Sequence, residues 1–195
     1  MGRPDLSETR RAEILDAFER CVARHGLDGS SLELVAEEAG MKRSVVRHYV
    51  GNREDMIVAL AERVTTTWRN YLREFVESLT PEKRVEQLLG FLLPTKSQTG
   101  TDALLVIEGL IAAGEQRPEV RRLMSGYIED VVSMTANQLA LAHPDAKRGD
   151  CWSVAYGVVS IWFNHDSLAP LQLPAKYLKA ARATARRLID TLGDA

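Results

Sequence analysis

Only two cysteines, Cys21 and Cys151, occur in 195 residues, and they lie far apart in the chain. A disulfide framework is excluded as the basis of the fold; two thiols set in apolar helical patterns read as buried and free, in a reducing compartment. No Cys-x-x-Cys and no His-Glu-x-x-His occurs, and no histidine has a glutamate three residues before it, those positions being Val22, Val45, Ala140 and Trp162. The ligand spacings of zinc sites and di-metal carboxylate sites are therefore missing, and the chain reads as a non-enzyme with no cofactor and no metal. Long apolar runs are missing too. The longest, Val154 to Phe163, falls well short of the roughly 20 residues that a membrane helix needs. The start, MGRPDLSETRR, has no apolar centre of a signal peptide and reads as a short mobile arm, so the expectation is a cytoplasmic protein with no membrane partner. No segment alternates as a strand does, and no repeat or low-complexity tract is present. Nor is there an excess of one charge: a formal net charge of −2 gives no whole-chain signal for nucleic acid, so any such signal must be local.

What is present is helical periodicity, with 45% hydrophobic and 27% charged residues, as in an ordinary globular chain. From Ser7 a first helix puts Ile14, Leu15, Phe18, Cys21 and Val22 on one side, with Phe18 as core anchor, and Gly26 stops it after His25. Ser30 and Glu33 have the spacing of a capping box, which predicts a second helix from about Leu32, with Val35, Ala36 and Ala39 inward and Gly40 as its end. Met41 is an apolar turn residue. A third helix then has Val45, Val46 and Tyr49 inside and Lys42, Arg43, Ser44, Arg47 and His48 outside, with no carboxylate from Lys42 to Arg53. A short cationic helix propped on a partner suits a DNA major groove, and Arg3, Arg10 and Arg11 add positive charge nearby. Charge alone allows a plain solvated face, or a helical adaptor whose basic helix docks a protein partner; the turn pattern favours DNA.

These residues resemble the N-terminal pattern of the TetR family of transcriptional regulators: Ser31, Val35-Ala36, Ala39-Gly40, Met41, Val46, His48-Tyr49-Val50, Asn52, then Arg53-Glu54 and Met56. The likeness covers about the first 60 residues. Lys42 departs from it where a Ser or Thr cap is usual, so that the cap shifts to Ser44 or is lost; Arg47 and Val50 stand where Tyr and Phe are commoner. The resemblance implies an all-α fold, with a helix-turn-helix DNA-binding domain over residues 1–53 and an effector-binding and dimerisation domain over 54–195. It also implies a repressor that binds double-stranded DNA at a palindromic operator as a homodimer and is released by a small-molecule effector. Arg43 and Arg47, four apart, match guanine edges or phosphate, while Ser44 and His48 share their surface. Tyr49 would pack its ring inward with its hydroxyl toward a phosphate, and Lys42 and Arg53 would hold phosphates and set register.

Beyond the head, Asn52 to Asp55 begins a long helix that runs to Leu79, with Pro81 opening the next and Pro94 closing it. Thr95 to Thr101 reads as a loop. Further helices are predicted over 102–114, 119–141, 151–168 and 175–192, the last with a basic outer side. The segment 151–168 is apolar nearly all round, which favours a subunit interface on one face. By position, the family's dimerisation helices correspond to 119–141 and 151–168. For the effector, Glu108 stands on an otherwise apolar face, and Trp68, Tyr127, Trp162, Asn164 and His165 put polar tips on apolar surroundings. Core packing is the plainer reading of each, and aromatics near a carboxylate would suit a cationic ligand.

Overall fold

The structure, a computed structural model, describes residues 6–95 and 101–193. The expected arm with Arg3, and most of the loop expected from Thr95 to Thr101, lie outside the described residues. Among the described residues there is no strand, and the helices are α1 (Leu6–Gly29), α2 (Leu32–Glu38), α3 (Arg43–Val50), α4 (Arg53–Ser78), α5 (Arg84–Leu92), α6 (Thr101–Ala113), α7 (Pro118–Ala142), α8 (Arg148–Ser167) and α9 (Lys176–Asp190). A 3-10 turn opened by Pro81 leads into α5, and Pro118 sits at the first position of α7, where its missing N–H has no helical partner to lose.

Two local expectations are corrected. Gly26 does break α1, with φ 71° and ψ 169°, but a further helical turn follows it to Gly29. The cap of α2 is Ser31, not Ser30: the Ser31 hydroxyl accepts from the Leu34 N–H at 3.2 Å, whereas Ser30 is fully buried and donates to the Gly26 carbonyl at 2.8 Å. Glu33, the expected partner in that cap, pairs with Arg43 instead. Ser30 ties the kink in α1 to the start of α2, which a solvent-facing cap would not do.

Packing divides the described chain into two units. In the first, residues 6–67 with 101–125, α1 lies against α2, α3 and α6. Ile14, Phe18, Val35, Val46, Met56, Ile57, Leu60 and Leu110 are fully buried there, each apolar side chain contributing about 1.5–3 kcal/mol by leaving water. Phe18 is thus the core residue expected of it. In the second, residues 68–95 with 126–193, α8 and α5 pack on α9. Helices α4 and α7 each supply residues to both units.

In the second unit α8 buries Cys151, Ala155, Val158, Val159 and Trp162. Its remaining apolar face is open: Trp152 is 46% and Tyr156 54% exposed, their rings stacked in parallel with centroids 5.8 Å apart. Cys21 and Cys151 are both buried free thiols, and burial raises both above the ordinary thiol range. Among the described residues no helix is long and apolar enough to cross a membrane.

Candidate nucleic-acid interface

The geometry of the head follows from how α2 stops. The Gly40 N–H donates to the Glu37 carbonyl at 3.0 Å and the Met41 N–H to the Ala36 carbonyl at 2.9 Å, with Gly40 at φ 63°. That is a Schellman closure, which only a residue at ease in the left-handed region makes without strain. The chain turns there and α3 begins at Arg43 without a side-chain cap, since Lys42 makes no capping hydrogen bond. Of the two outcomes that Lys42 allowed, the cap is lost. Val46 and Val50 are buried, while Lys42, Arg43, Ser44, Arg47 and His48 are exposed and Tyr49 is half-buried with its ring edge-on to His48 at 5.0 Å. Eight residues make a rod of roughly 12 Å, comparable to the width of a major groove.

The far end of α3 is fixed more firmly. Gly51, at φ 80°, closes it, and the Arg11 guanidinium donates to the Tyr49 carbonyl at 3.2 Å, a cation placed against a helix C-terminus. Asn52 then caps α4: its side-chain oxygen accepts from the N–H groups of Glu54 at 2.8 Å and Asp55 at 3.1 Å, and the Asp55 carboxylate accepts from the Asn52 N–H at 2.9 Å. This reciprocal cap was visible in the sequence only as acids in a first turn.

The seven residues expected at DNA fall into three groups. Lys42, Ser44 and Arg47 are exposed, and none makes an ion pair or side-chain hydrogen bond among the described residues; His48 has only its ring contact. Arg43 is exposed too, but its Nε lies 2.8 Å from the Glu33 carboxylate on α2. Both side chains of that pair are more than half exposed, so the pairing is weak and exchangeable. Arg53 is engaged inward, donating to the Leu27 carbonyl at 2.7 Å and to Asp28 at 3.3 Å, which ties the start of α4 to the link between α1 and α2. Arginines that sequence reading did not single out complete the scaffold. Arg20 and Arg24 of α1 converge on Glu38 of α2, the Arg20 hydrogen bond being the main cause of that carboxyl's lowered pKa. Arg63 of α4 joins Asp16 and Glu19 of α1, and Arg117 grips Glu54 with two bonds of 2.7 and 3.2 Å.

The model of the bacterial regulatory proteins of the tetR family matches residues 14–60. That stretch runs from the core of α1 through the Gly40 turn and α3 into α4. Over this stretch the chain is a TetR-family N-terminal domain. Over 93 residues it is 28% identical to the HTH-type transcriptional regulator PksA of Bacillus subtilis, covering 47% of this chain and 45% of that protein. Over 103 residues it is 29% identical to the HTH-type transcriptional repressor AcnR of Corynebacterium efficiens, covering 50% and 55%. The chain thus spans about half the length of these curated relatives. In fold the likeness extends further: a TetR transcription regulator from Haloarcula marismortui superposes with a TM-score of 0.79 over 94% of this chain and 98% of that one, at 20% identity.

The residues expected at a TetR-family effector site are only partly brought together. Trp68, Tyr127 and Trp162 do meet: Trp68 lies 5.8 Å from Tyr127 and 6.0 Å from Trp162, ring centre to ring centre, and Phe163 packs on Trp162 at 4.7 Å and on Tyr127 at 6.2 Å. Asn164 and His165 instead line an open groove of about 390 Å³ between α8 and α9, with Ile161, Leu173 and Tyr177. Glu108 is half-buried on α6 and belongs to the first unit, not to that of the aromatic rings. The carboxylate that accompanies the aromatics is Asp166, one turn after Trp162, which sequence reading passed over. Burial raises its carboxyl above the usual range, partly offset by the Trp162 indole and by His165. The Tyr127 phenol is also raised, first by burial and then by the charge of Asp166.

Proposed function

We propose that this TetR-family chain is a transcriptional repressor that binds double-stranded DNA at a palindromic operator as a homodimer and leaves it when a small molecule binds. The observation that carries the DNA reading is the set of exposed side chains at the start of α3 and along it, Lys42, Ser44 and Arg47, with no partner among the described residues, on a rod whose inner side is locked into the core. Arg47 and Ser44 would read base edges, with Arg43 joining them once it exchanges Glu33 for a base or phosphate. Lys42, beside the uncapped helix start, would take a phosphate, as would the Tyr49 hydroxyl, with His48 at the rim. Arg53 would act by positioning α4, since its Nη2 already donates to the Leu27 carbonyl and to Asp28. The division of roles is residues 1–53 for DNA and 54–195 for effector and dimer, within a cytoplasmic protein.

For the dimer, support comes from the exposed apolar face of α8 with Tyr177 of α9, which is 47% exposed. Along α7 the exposed residues are mostly polar or charged, Arg121, Arg122, Ser125, Glu129 and Asn137 among them. The interface is therefore assigned to α8 with α9 rather than to 119–141 with 151–168. Two-fold symmetry would set two copies of α3 about 34 Å apart, or a multiple of it. A ligand releases DNA only by favouring a state in which that spacing is wrong. Selection of bound fragments from a random DNA pool tests the reading: a recovered palindrome supports it, and recovery of no common sequence at moderate salt overturns it.

A further inference from the structure

A carboxylate stands where a DNA-reading surface has reason to avoid one. Glu33, in the first turn of α2, has 61% of its side chain open to water, and its Oε1 lies 2.8 Å from Nε of Arg43 at the start of α3. No acid occurs from Lys42 to Arg53, so Glu33 enters the cationic surface from the neighbouring helix. The fold asks little of it there. The Ser31 hydroxyl makes the cap of α2, and an ion pair this exposed holds two helices together only weakly. Against a duplex, whose phosphates place a negative charge about every 1.7 Å along the axis, a carboxylate is repelled unless a hydrogen-bond donor meets it.

We propose that Glu33 and Arg43 read a single G·C base pair together, Arg43 donating to the guanine and Glu33 accepting from the N4 amino group of its cytosine, which makes Glu33 a specificity-determining residue of the interface. This rests on the DNA-binding reading given above and names a base pair within it. The match is one of chemistry and of distance. In the major groove guanine offers the acceptors O6 and N7, and cytosine offers the N4 donor. O6 and N4 share a Watson–Crick hydrogen bond and so lie about 2.9 Å apart, close to the 2.8 Å between Nε of Arg43 and Oε1 of Glu33. The two charged groups can therefore trade each other for the two halves of a base pair without moving apart. The reversed pair would set donor against donor and acceptor against acceptor. An A·T pair would give the guanidinium the lone O4 acceptor of thymine with a methyl group beside it. Trading Glu33 for a phosphate would leave the carboxylate bare in the field of the duplex, which is the reason for assigning Arg43 to a base.

The test selects DNA from a random pool with the full chain, then measures affinity by fluorescence anisotropy on the recovered operator with base pairs changed singly. The parent should prefer G·C to its reversal by about tenfold or more at one position of each half-site, and Arg43→Ala should lose that preference. Glu33→Ala should bind noncognate DNA more tightly than the parent, because a repelled charge is gone, and yet discriminate less at that position and no less at the others. Glu33→Gln should lose discrimination there too, since an amide presents a donor as readily as an acceptor. Circular dichroism checks that each variant is folded. Preferences unchanged in a folded Glu33→Ala or Glu33→Gln, or affinity lost evenly at every position, overturn the role of Glu33 while leaving DNA binding standing. An equal gain for every sequence overturns it as well, since Arg43 would then hold a phosphate. Recovery of no common sequence by the parent overturns this assignment and the DNA reading together.

Discussion

Replacing Gly51 by alanine tests the junction that sets the reading helix against α4. Gly51 has φ 80° and ψ −148°, a combination nearly confined to glycine, and holding alanine there costs about 1–3 kcal/mol. A second effect adds to it. A Cβ built on Gly51 would lie 2.4 Å from Oδ2 of Asp55 and 2.9 Å from its Cβ and Cγ, so the carboxylate must leave the Asn52 N–H that it caps at 2.9 Å. Loss of that cap costs about 1 kcal/mol. Together these give about 3 kcal/mol, or a fall of roughly 6–12 °C in the unfolding midpoint for a chain of this size. Gly40→Ala is the internal control: its φ is 63° but no atom lies within 4 Å of the new Cβ, so only the backbone penalty of about 1 kcal/mol applies. Asp55→Ala removes the cap and the clashing carboxylate. The double variant Gly51→Ala/Asp55→Ala should therefore cost about 1 kcal/mol less than the sum of the single changes. Urea unfolding followed by circular dichroism measures all four. If Gly51→Ala proves no worse than Gly40→Ala, or is additive with Asp55→Ala, the account of this junction is wrong.

Other expectations separate reading residues from holding residues. Arg47→Ala should cost about 1–3 kcal/mol in operator affinity, concentrated at one base pair, with unchanged thermal stability; fluorescence anisotropy on single-base operator variants resolves this. Arg53→Ala should instead lower the stability of the free protein by about 1 kcal/mol through its lost bond to the Leu27 carbonyl, seen by calorimetric melting without DNA. Trp152→Glu with Tyr156→Glu should turn a dimer into a folded monomer in sedimentation velocity, and an unchanged mass would remove α8 from the interface. Arg117 holds the Glu54 carboxyl below the usual range, so the pair's contribution is present above the unfolded carboxyl's pKa and is lost as pH falls through the lowered folded value. Arg117→Met should accordingly flatten the acid side of the stability profile, from the ordinary carboxylate range downward. The raised Asp166 carboxyl has the opposite sign: it penalises the folded state as pH rises through its folded value, so Asp166→Asn should melt higher than the parent at pH 7 when no ligand is present.

Much of the head was legible because its cues are local. Gly26 and Gly40 interrupt the helical pattern by their own backbone freedom, and the spacing of Val35, Ala36 and Val46 declares an inner side without reference to anything distant. What could not be read is who partners whom across the fold. Nothing near Arg53 in the chain announces the Leu27 carbonyl, 26 positions back, so a basic residue in a basic run looked like a phosphate contact. The pairing of Arg43 was hidden for the same reason, its acid lying in the preceding helix. Ser30 and Ser31 are adjacent hydroxyls with equal claims to a cap, and only burial decides between them. In the second unit Trp68, Tyr127 and Trp162 do pack together, but Asp166 was hidden in a polar run, Asn164 to Ser167, whose inward and outward members differ by rotation about the helix axis alone.

The missing cap on α3 has a consequence for how this protein can change its target. A helix whose first turn has no side-chain cap is held in shape by the residues beneath it, Val46 and Val50, and by the glycine turns on either side. Its outer positions carry no share of that task. Lys42, Ser44, Arg47 and His48 can thus be exchanged almost as freely as letters set in a fixed frame, and a new operator can be acquired without renegotiating the fold that presents it.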